Sequence, residues 1–429
     1  MAYVDRVNVS IAKLTMTRDL PGFDNAVIGF GAGLFFWGYF LLEIPGSLLV
    51  EKWSARRLIC RIMVVWGFAA ALTAFVKTPF QFYVMRFLLG LAEAGFFPGV
   101  IVYLTHWFPS RDRTRALSWF LVATPIAQLI SPKVSNALLK IGTGDIIEGK
   151  VVYYPGLFGL KGWQWIYIYW GIPAVLLGIV ALFALTDRPC DANWLTLDEK
   201  DALESELERE RSARAATRRM TVLEAFQNPR VLLLVVAYFC STAANYSLEF
   251  FLPSILQQWY SLTIDSITSL VLLPPILALA GQLFVGWNAD RTKERRLHAV
   301  IPIVIGLIAL ALTPLTRGHL PLTIACFMAT SAGIKAYQPA FWSLPSLFLT
   351  GAAAAGSIGL INSIGNLGGF LGPAILGTIQ KYAGSFVGGI YYLCFSMAVC
   401  AMILAALGIG RRESSGIEEK NFKDSRQSS

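Results

Sequence analysis

EKWSARR, residues 51–57, comes back as DRTKERR at residues 290–296. Glu51, Lys52, Arg56 and Arg57 match Asp290, Arg291, Arg295 and Arg296 at a constant offset of 239. A second echo sets Pro109, Ser110, Thr114 and Ala116 against Pro345, Ser346, Thr350 and Ala352 at an offset of 236. A third sets Ser131-Pro132 against Gly372-Pro373 at 241. Three marks in one order at nearly one offset read as an internal duplication, the layout of transporters built from two repeats.

The surroundings of both copies are apolar. Of 429 residues, 55% are hydrophobic and only 15% charged, and the mean hydropathy is +0.57. Soluble domains carry roughly 25% charge. Apolar blocks fall near 27–50, 58–76, 80–107, 114–138 and 164–186, then near 231–256, 264–288, 298–315, 320–343, 352–378 and 386–409. Each is long enough to approach the ~20 residues a helix needs to cross a bilayer. A twelfth block, the first, reads as a stub ending near Leu14. Lipid offers the backbone no hydrogen bonds, so the spans are expected to be helices. Strict alternation is absent, which argues against a membrane β-barrel. The fold expected is an all-α membrane protein of twelve spans in two six-helix halves.

Charge sets the topology. The net charge of +9 is concentrated in short connections holding Lys52, Arg56 and Arg57, then Arg111, Arg113 and Arg115, then Arg291, Lys293, Arg295 and Arg296. By the positive-inside rule these are cytoplasmic, with the tail bases Arg411, Arg412 and Lys420. This distribution argues against nucleic acid as a partner. The longest polar stretch, 187–228, reads as a cytoplasmic linker containing an exposed helix, Leu195 to Glu210. The expected organisation is a half at 1–186, the linker, a half at 229–409 and a tail at 410–429. Both termini are then cytoplasmic and the 140–163 loop is external. Six scattered cysteines show no metal spacing and no cleavable leader is visible, so neither metal nor cofactor is expected.

Ionisable residues inside spans cost roughly 2.5–3.5 kcal/mol on insertion scales and mark function by default. They are Asp5, Arg6, Glu43, Arg86, Glu93, Lys133, Glu249 and Lys335. Arg86 and Glu93, seven apart, return to one helix face about 10 Å apart. An arginine fork grips a carboxylate bidentately, and a caged acid can trade its ion pair for a proton. Lys335, Gln338 and Trp342 share a face, as do Asn362 with Asn366 and Asn245 with Glu249. They read as a cavity lining, with Lys335 either a second anchor for a dicarboxylate or a salt-bridge partner of Glu249. Glu43 reads as a gate or structural acid, and Lys133 as a lysine snorkelling to the external interface.

These residues resemble a family. The repeated acid-base-x(3)-base-base loop resembles that of the major facilitator superfamily, with Ala55 where a Gly is usual. YVDRVNVSIA (3–12), EIPGSLLVEKWSARR (43–57), RFLLGLAEAGFFPG (86–99), DRPCDANWL (187–195), FWSLPSLFLTG (341–351) and INSIGNLGGFLGP (361–373) resemble the anion:cation symporters of tartrate, phthalate, hydroxyphenylacetate and sugar acids. The resemblance implies that Asp5 and Glu93 carry protons and that Arg86 binds the anion. It also implies that Arg6, Tyr3 and Tyr39 line the same cavity. In that family the YxDR element lies mid-helix, so the first helix here is expected to be truncated.

The expectation is therefore a monomeric, multi-pass protein of the inner or plasma membrane that carries a small organic anion with protons by alternating access. Sodium stays open as coupling ion. Tyr3, Arg6, Tyr39, Arg86, Asn245, Lys335, Gln338, Trp342, Asn362 and Asn366 are the expected binding residues. The two loop copies, Glu51, Lys52, Arg56 and Arg57 with Asp290, Arg291, Arg295 and Arg296, are the expected gates. The alternatives are a carrier of a neutral solute and a transport-dead sensor on the same scaffold. An enzyme is not expected: HExxH, P-loop and GxSxG motifs are all missing.

Overall fold

The computed structural model describes residues 2–52, 54–108, 110–142, 144–147, 150–153, 156–215, 227–292, 294–345 and 351–408. The tail with Arg411, Arg412 and Lys420, the second-half echo at Ser346 and Thr350, and Lys293 lie outside the described residues. So do Pro109 and the side chains of Glu51, Lys52, Asp290, Arg111, Arg113 and Arg115.

Twelve helical passes are described. The first half holds α1 (Ala2–Val7) and α2 (Val9–Asp19), α3 (Asn25–Lys52), α4 (Ala55–Leu72), α5 (Pro79–Glu93) with α6 (Phe96–Trp107), α7 (Ser110–Leu139) and α8 (Gly162–Ala184). A linker helix, α9 (Leu197–Ala215), leads to the second half. That half holds α10 (Pro229–Tyr260), α11 (Ile264–Leu270) with α12 (Leu273–Thr292), and α13 (Arg296–Leu312). It continues with α14 (Leu320–Ala336) and α15 (Gln338–Ser343), α16 (Gly351–Asn366) with α17 (Gly368–Ala383), and α18 (Val387–Ala406). Among the described residues, nine stretches are long and apolar enough to cross a membrane. The outward faces are greasy: Phe183 is 81% and Phe395 68% exposed. Water would not tolerate such a belt, and lipid requires it.

Three features depart from the sequence reading. The first pass is helical to Asp19, five residues past the stub's expected end. Lys13, Thr15, Thr17 and Arg18 hid those turns. A two-stranded antiparallel hairpin, β1 (Gly144–Ile147) with β2 (Lys150–Tyr153), sits in the 140–163 connection. The single block at 80–107 is two helices, because Gly95 turns left-handed (φ 85°) just after Glu93. Pro98 also lacks the N–H that would have bonded the Ala94 carbonyl.

The connections define two ends. The basic end carries the two loop copies, after α3 and after α12; the hairpin end carries the β-hairpin. The halves are tied together at the hairpin end. Lys381 meets Asp24 at 3.0 Å, Asn25 donates to Gln380 at 2.9 Å and Lys140 meets Asp265 at 2.8 Å. Asn136 also donates to Asp265, and Lys133 donates to Ser269 across the halves rather than snorkelling. Burial pushes the Asp24 carboxyl up, but the Val27 N–H and the Lys381 ammonium outweigh it and hold the group below its ordinary value. That latch therefore stays charged to a lower pH than an ordinary aspartate would.

Small residues let α3 and α17 approach across the halves. A Cβ on Gly29 would lie 2.4 Å from the Pro373 carbonyl oxygen, and one on Gly33 would lie 2.7 Å from that of Phe370. Gly29→Val is therefore expected to destabilise this hairpin-closed arrangement by about 1–3 kcal/mol. Labelling of a cysteine placed at Thr17 by a membrane-impermeant thiol reagent should rise, and unchanged labelling would count against closure at this seam.

Candidate functional site

Between the halves lies a cavity of about 340 Å³ lined from both sides. From the first half come Tyr3, Arg6, Tyr39, Glu93 and an aromatic wall of Phe96, Phe97 and Phe120. From the second come Tyr238, Asn245, Tyr246, Lys335, Gln338, Asn362 and Asn366. Its size lies within the range of roughly 300–1,000 Å³ usual for small-molecule sites.

Arg6 is its centre. Its Nη2 meets Glu93 Oε1 at 2.5 Å, and its Nη1 donates to the Tyr246 hydroxyl across the halves at 3.0 Å. The guanidinium also lies 4.8 Å from the Phe35 ring centroid and 5.3 Å from that of Tyr39, within cation–π reach. Glu93 is placed for this by the helix break: it ends α5, where Gly95 turns the chain away. The other Glu93 oxygen, Oε2, is buried and has no hydrogen-bond partner.

A second caged cation faces the same space. Lys335 lies 3.7 Å from Glu249 Oε1. Tyr3 donates to the same oxygen at 2.7 Å from the other half, and Gln128 donates to it at 3.3 Å. Glu249 and Gln128 themselves line a smaller, mostly apolar chamber of about 100 Å³ that lies further toward the hairpin end. Tyr3, Asn245 and Lys335 line both spaces. At the opposite, basic-end side, Asn362 donates to Glu43 across the halves at 3.0 Å.

Three residues stand elsewhere than the spacing suggested. Arg86 is fully buried and outside the cavity lining; it donates to the backbone carbonyls of Asp5 at 3.2 Å and Arg6 at 3.1 Å. Periodicity put it on the face of Glu93 but could not say that the first helix would cover that face. Asp5 turns to α4, accepting from Trp66 Nε1 at 3.0 Å, with Oδ1 buried and without a hydrogen-bond partner. Trp342 packs edge-on behind Tyr238, ring centroids 4.9 Å apart, because Pro339 cannot donate to the Lys335 carbonyl and the helix breaks at Tyr337. The i, i+7 face assumed for Lys335 and Trp342 needs an unbroken helix.

Gln128, Tyr238 and Tyr246 are contributors that sequence reasoning passed over. Gln128 was the findable one, a lone amide inside the apolar run SWFLVATPIAQLI at 118–130. The loop bases take local partners here: Arg56 pairs with Asp187 at the start of the linker at 3.3 Å, and Arg296 donates to the Ala405 carbonyl. Arg291 lies over Trp287 at 5.4 Å.

Similar proteins agree with this architecture. The family described as the Major Facilitator Superfamily matches residues 1–373. A protein named "Putative tartrate transporter" from Agrobacterium vitis is 39% identical over 416 residues, covering 97% of this chain and 92% of its own length. A "Quinolone resistance transporter" from Acinetobacter baumannii is 36% identical, with 92% and 88% covered. Among solved structures, a D-xylose-proton symporter superposes with a TM-score of 0.72 at 14% identity, covering 95% of this chain and 94% of that one.

Proposed function

This chain belongs to the Major Facilitator Superfamily, and we propose that it carries a small organic carboxylate into the cell together with protons, by alternating access. The observation that supports this reading most is Arg6. It is a cavity cation held at once by an acid of one half and a phenol of the other. A cation caged by a carboxylate is a poor anion site until that carboxylate is protonated; then the guanidinium is released to the substrate's carboxylate. Proton and anion thereby need each other to bind. Lys335, caged by Glu249 in the same way, supplies a second anchor, so the favoured cargo carries two carboxylates. The relatives named for tartrate fit a doubly charged acid.

Asp5 is the second proton carrier in this reading. Its unpartnered oxygen can take a proton without breaking the Trp66 bond. Arg86 serves as the strut that holds the backbone of Asp5 and Arg6. The basic end is the cytoplasmic one, so the arrangement described is closed to the outside. The loop bases latch the opposite state.

Purified protein in liposomes tests the proposal. An inward proton gradient should drive labelled dicarboxylate above its external concentration, and a protonophore should collapse the accumulation. Unlabelled dicarboxylates should compete better than monocarboxylates, aromatic acids or a quinolone, and xylose should not compete. Accumulation that needs sodium instead, or competition by neutral sugars alone, would refute the reading.

A further inference from the structure

One buried lysine stands outside that account. Lys13, on α2, is only 1% exposed, and its Nζ has no hydrogen-bond partner; it rests 3.7 Å from the Phe251 ring centroid. It lines a cavity of about 550 Å³ at the hairpin end, between the halves. Arg18 and Lys381 also line this cavity, against the single acid Asp24, so its lining carries three bases and one acid. Amides from Asn25, Gln257 and Gln380 add donors. A buried ammonium with only a ring face beneath it is costly to keep, and an anion is the partner that would repay that cost.

The position along the helix gives the site a purpose. Lys13 lies seven residues, about 10 Å, beyond Arg6 on the same pass. Between them Asn8, 3% exposed with both amide atoms unpartnered, lines the small chamber that shares Tyr3 and Lys335 with the central cavity. Lys13, Asn8 and Arg6 thus line three separate spaces along one helix, of which the chamber at Asn8 and the central cavity at Arg6 share lining residues.

We propose that Lys13 and the cavity around it form a second anion site, an external vestibule that takes an organic carboxylate before it reaches Arg6. The site rests on the carboxylate-transport reading above. It collects substrate only from the hairpin-end side, and this asymmetry makes it testable.

Lys13→Met in oriented vesicles should raise the KM for dicarboxylate offered at the hairpin-end side about tenfold. The KM from the basic-end side should stay within about twofold, because the route to Arg6 from there avoids Lys13. Lys13→Arg should restore the hairpin-side value. An unchanged hairpin-side KM in Lys13→Met overturns the site, and an equal rise from both sides overturns it in favour of a packing role for the Phe251 contact. If Lys13→Met does not fold, the exposed Arg18→Gln carries the test through the same side-specific rise, and side-independent values overturn the site. A wild type that takes up no carboxylate removes the transport reading itself. A wild type that transports while the variants keep their hairpin-side KM removes the vestibule alone.

Discussion

Glu93→Gln abolishes uphill accumulation of the anion and leaves exchange of anion for anion in place. The amide imitates the protonated acid: it is neutral, nearly the same size, and no longer clamps the Arg6 guanidinium as an ion pair. Arg6 is then open to substrate at every pH. The sign for the wild type follows from the pairing. Lowering the pH protonates Glu93, frees Arg6 and tightens anion binding; raising the pH re-forms the pair and weakens it. In Glu93→Gln that dependence disappears. Accumulation at steady state should fall from the value set by the proton gradient to about one, while counterflow of labelled for unlabelled anion stays within several-fold of wild type. Uptake with the pH clamped on both sides, against uptake with an imposed gradient, reads both quantities in one preparation. Undiminished proton-driven accumulation would remove Glu93 from the coupling. A proton carried by Asp5 cannot by itself drive accumulation, since Asp5 faces Trp66 and α4 and its protonation does not release the guanidinium of Arg6.

Much of this is legible in the sequence, for physical reasons that also mark the limit. Eleven passes follow from apolar length, the twelfth shows only as a stub, and the two-fold layout follows from the loop copies at 51–57 and 290–296. Arg6, Glu93, Asn245, Lys335, Gln338, Asn362 and Asn366 could be picked because charge and amides are rare in lipid-facing helices, and Tyr3 was implied by the family resemblance. They do meet in one cavity. What periodicity cannot supply is the neighbour. It puts Arg86 on Glu93's face but not under the backbone of Asp5 and Arg6. It treats Gln338 and Trp342 as continuing the turn of Lys335, although Pro339 breaks it. Lys13 was missed for another reason. The polar-rich stretch from Lys13 to Asp19, KLTMTRD, looks like the end of a helix by composition. It continues as one because α10 packs along it and supplies the Phe251 face.

Arg6→Lys and Arg86→Lys separate the two arginines, whose roles the resemblance implied the other way round, with Arg86 as the anion's ligand. Arg6 spans the cavity with two different nitrogens, one on Glu93 and one on Tyr246. An ammonium is a point charge without the planar fork, so it cannot hold both and then offer two parallel bonds to a carboxylate. The variant keeps its charge, so Glu93 stays neutralised and the fold is preserved. Dicarboxylate affinity should drop roughly 10- to 100-fold with the thermal midpoint nearly unchanged. Arg86→Lys should do the reverse. Its guanidinium ties down two main-chain carbonyls in a fully buried setting, and a lysine there leaves a carbonyl unsatisfied, at about 1–3 kcal/mol. The thermal midpoint should fall, while the folded fraction binds the anion within a few-fold of wild type. The opposite result, affinity lost at an unchanged midpoint in Arg86→Lys, would make Arg86 the anion's ligand and Arg6 its support. The roles are assigned as they are because only Arg6 reaches the cavity, with Arg86 directly behind its backbone.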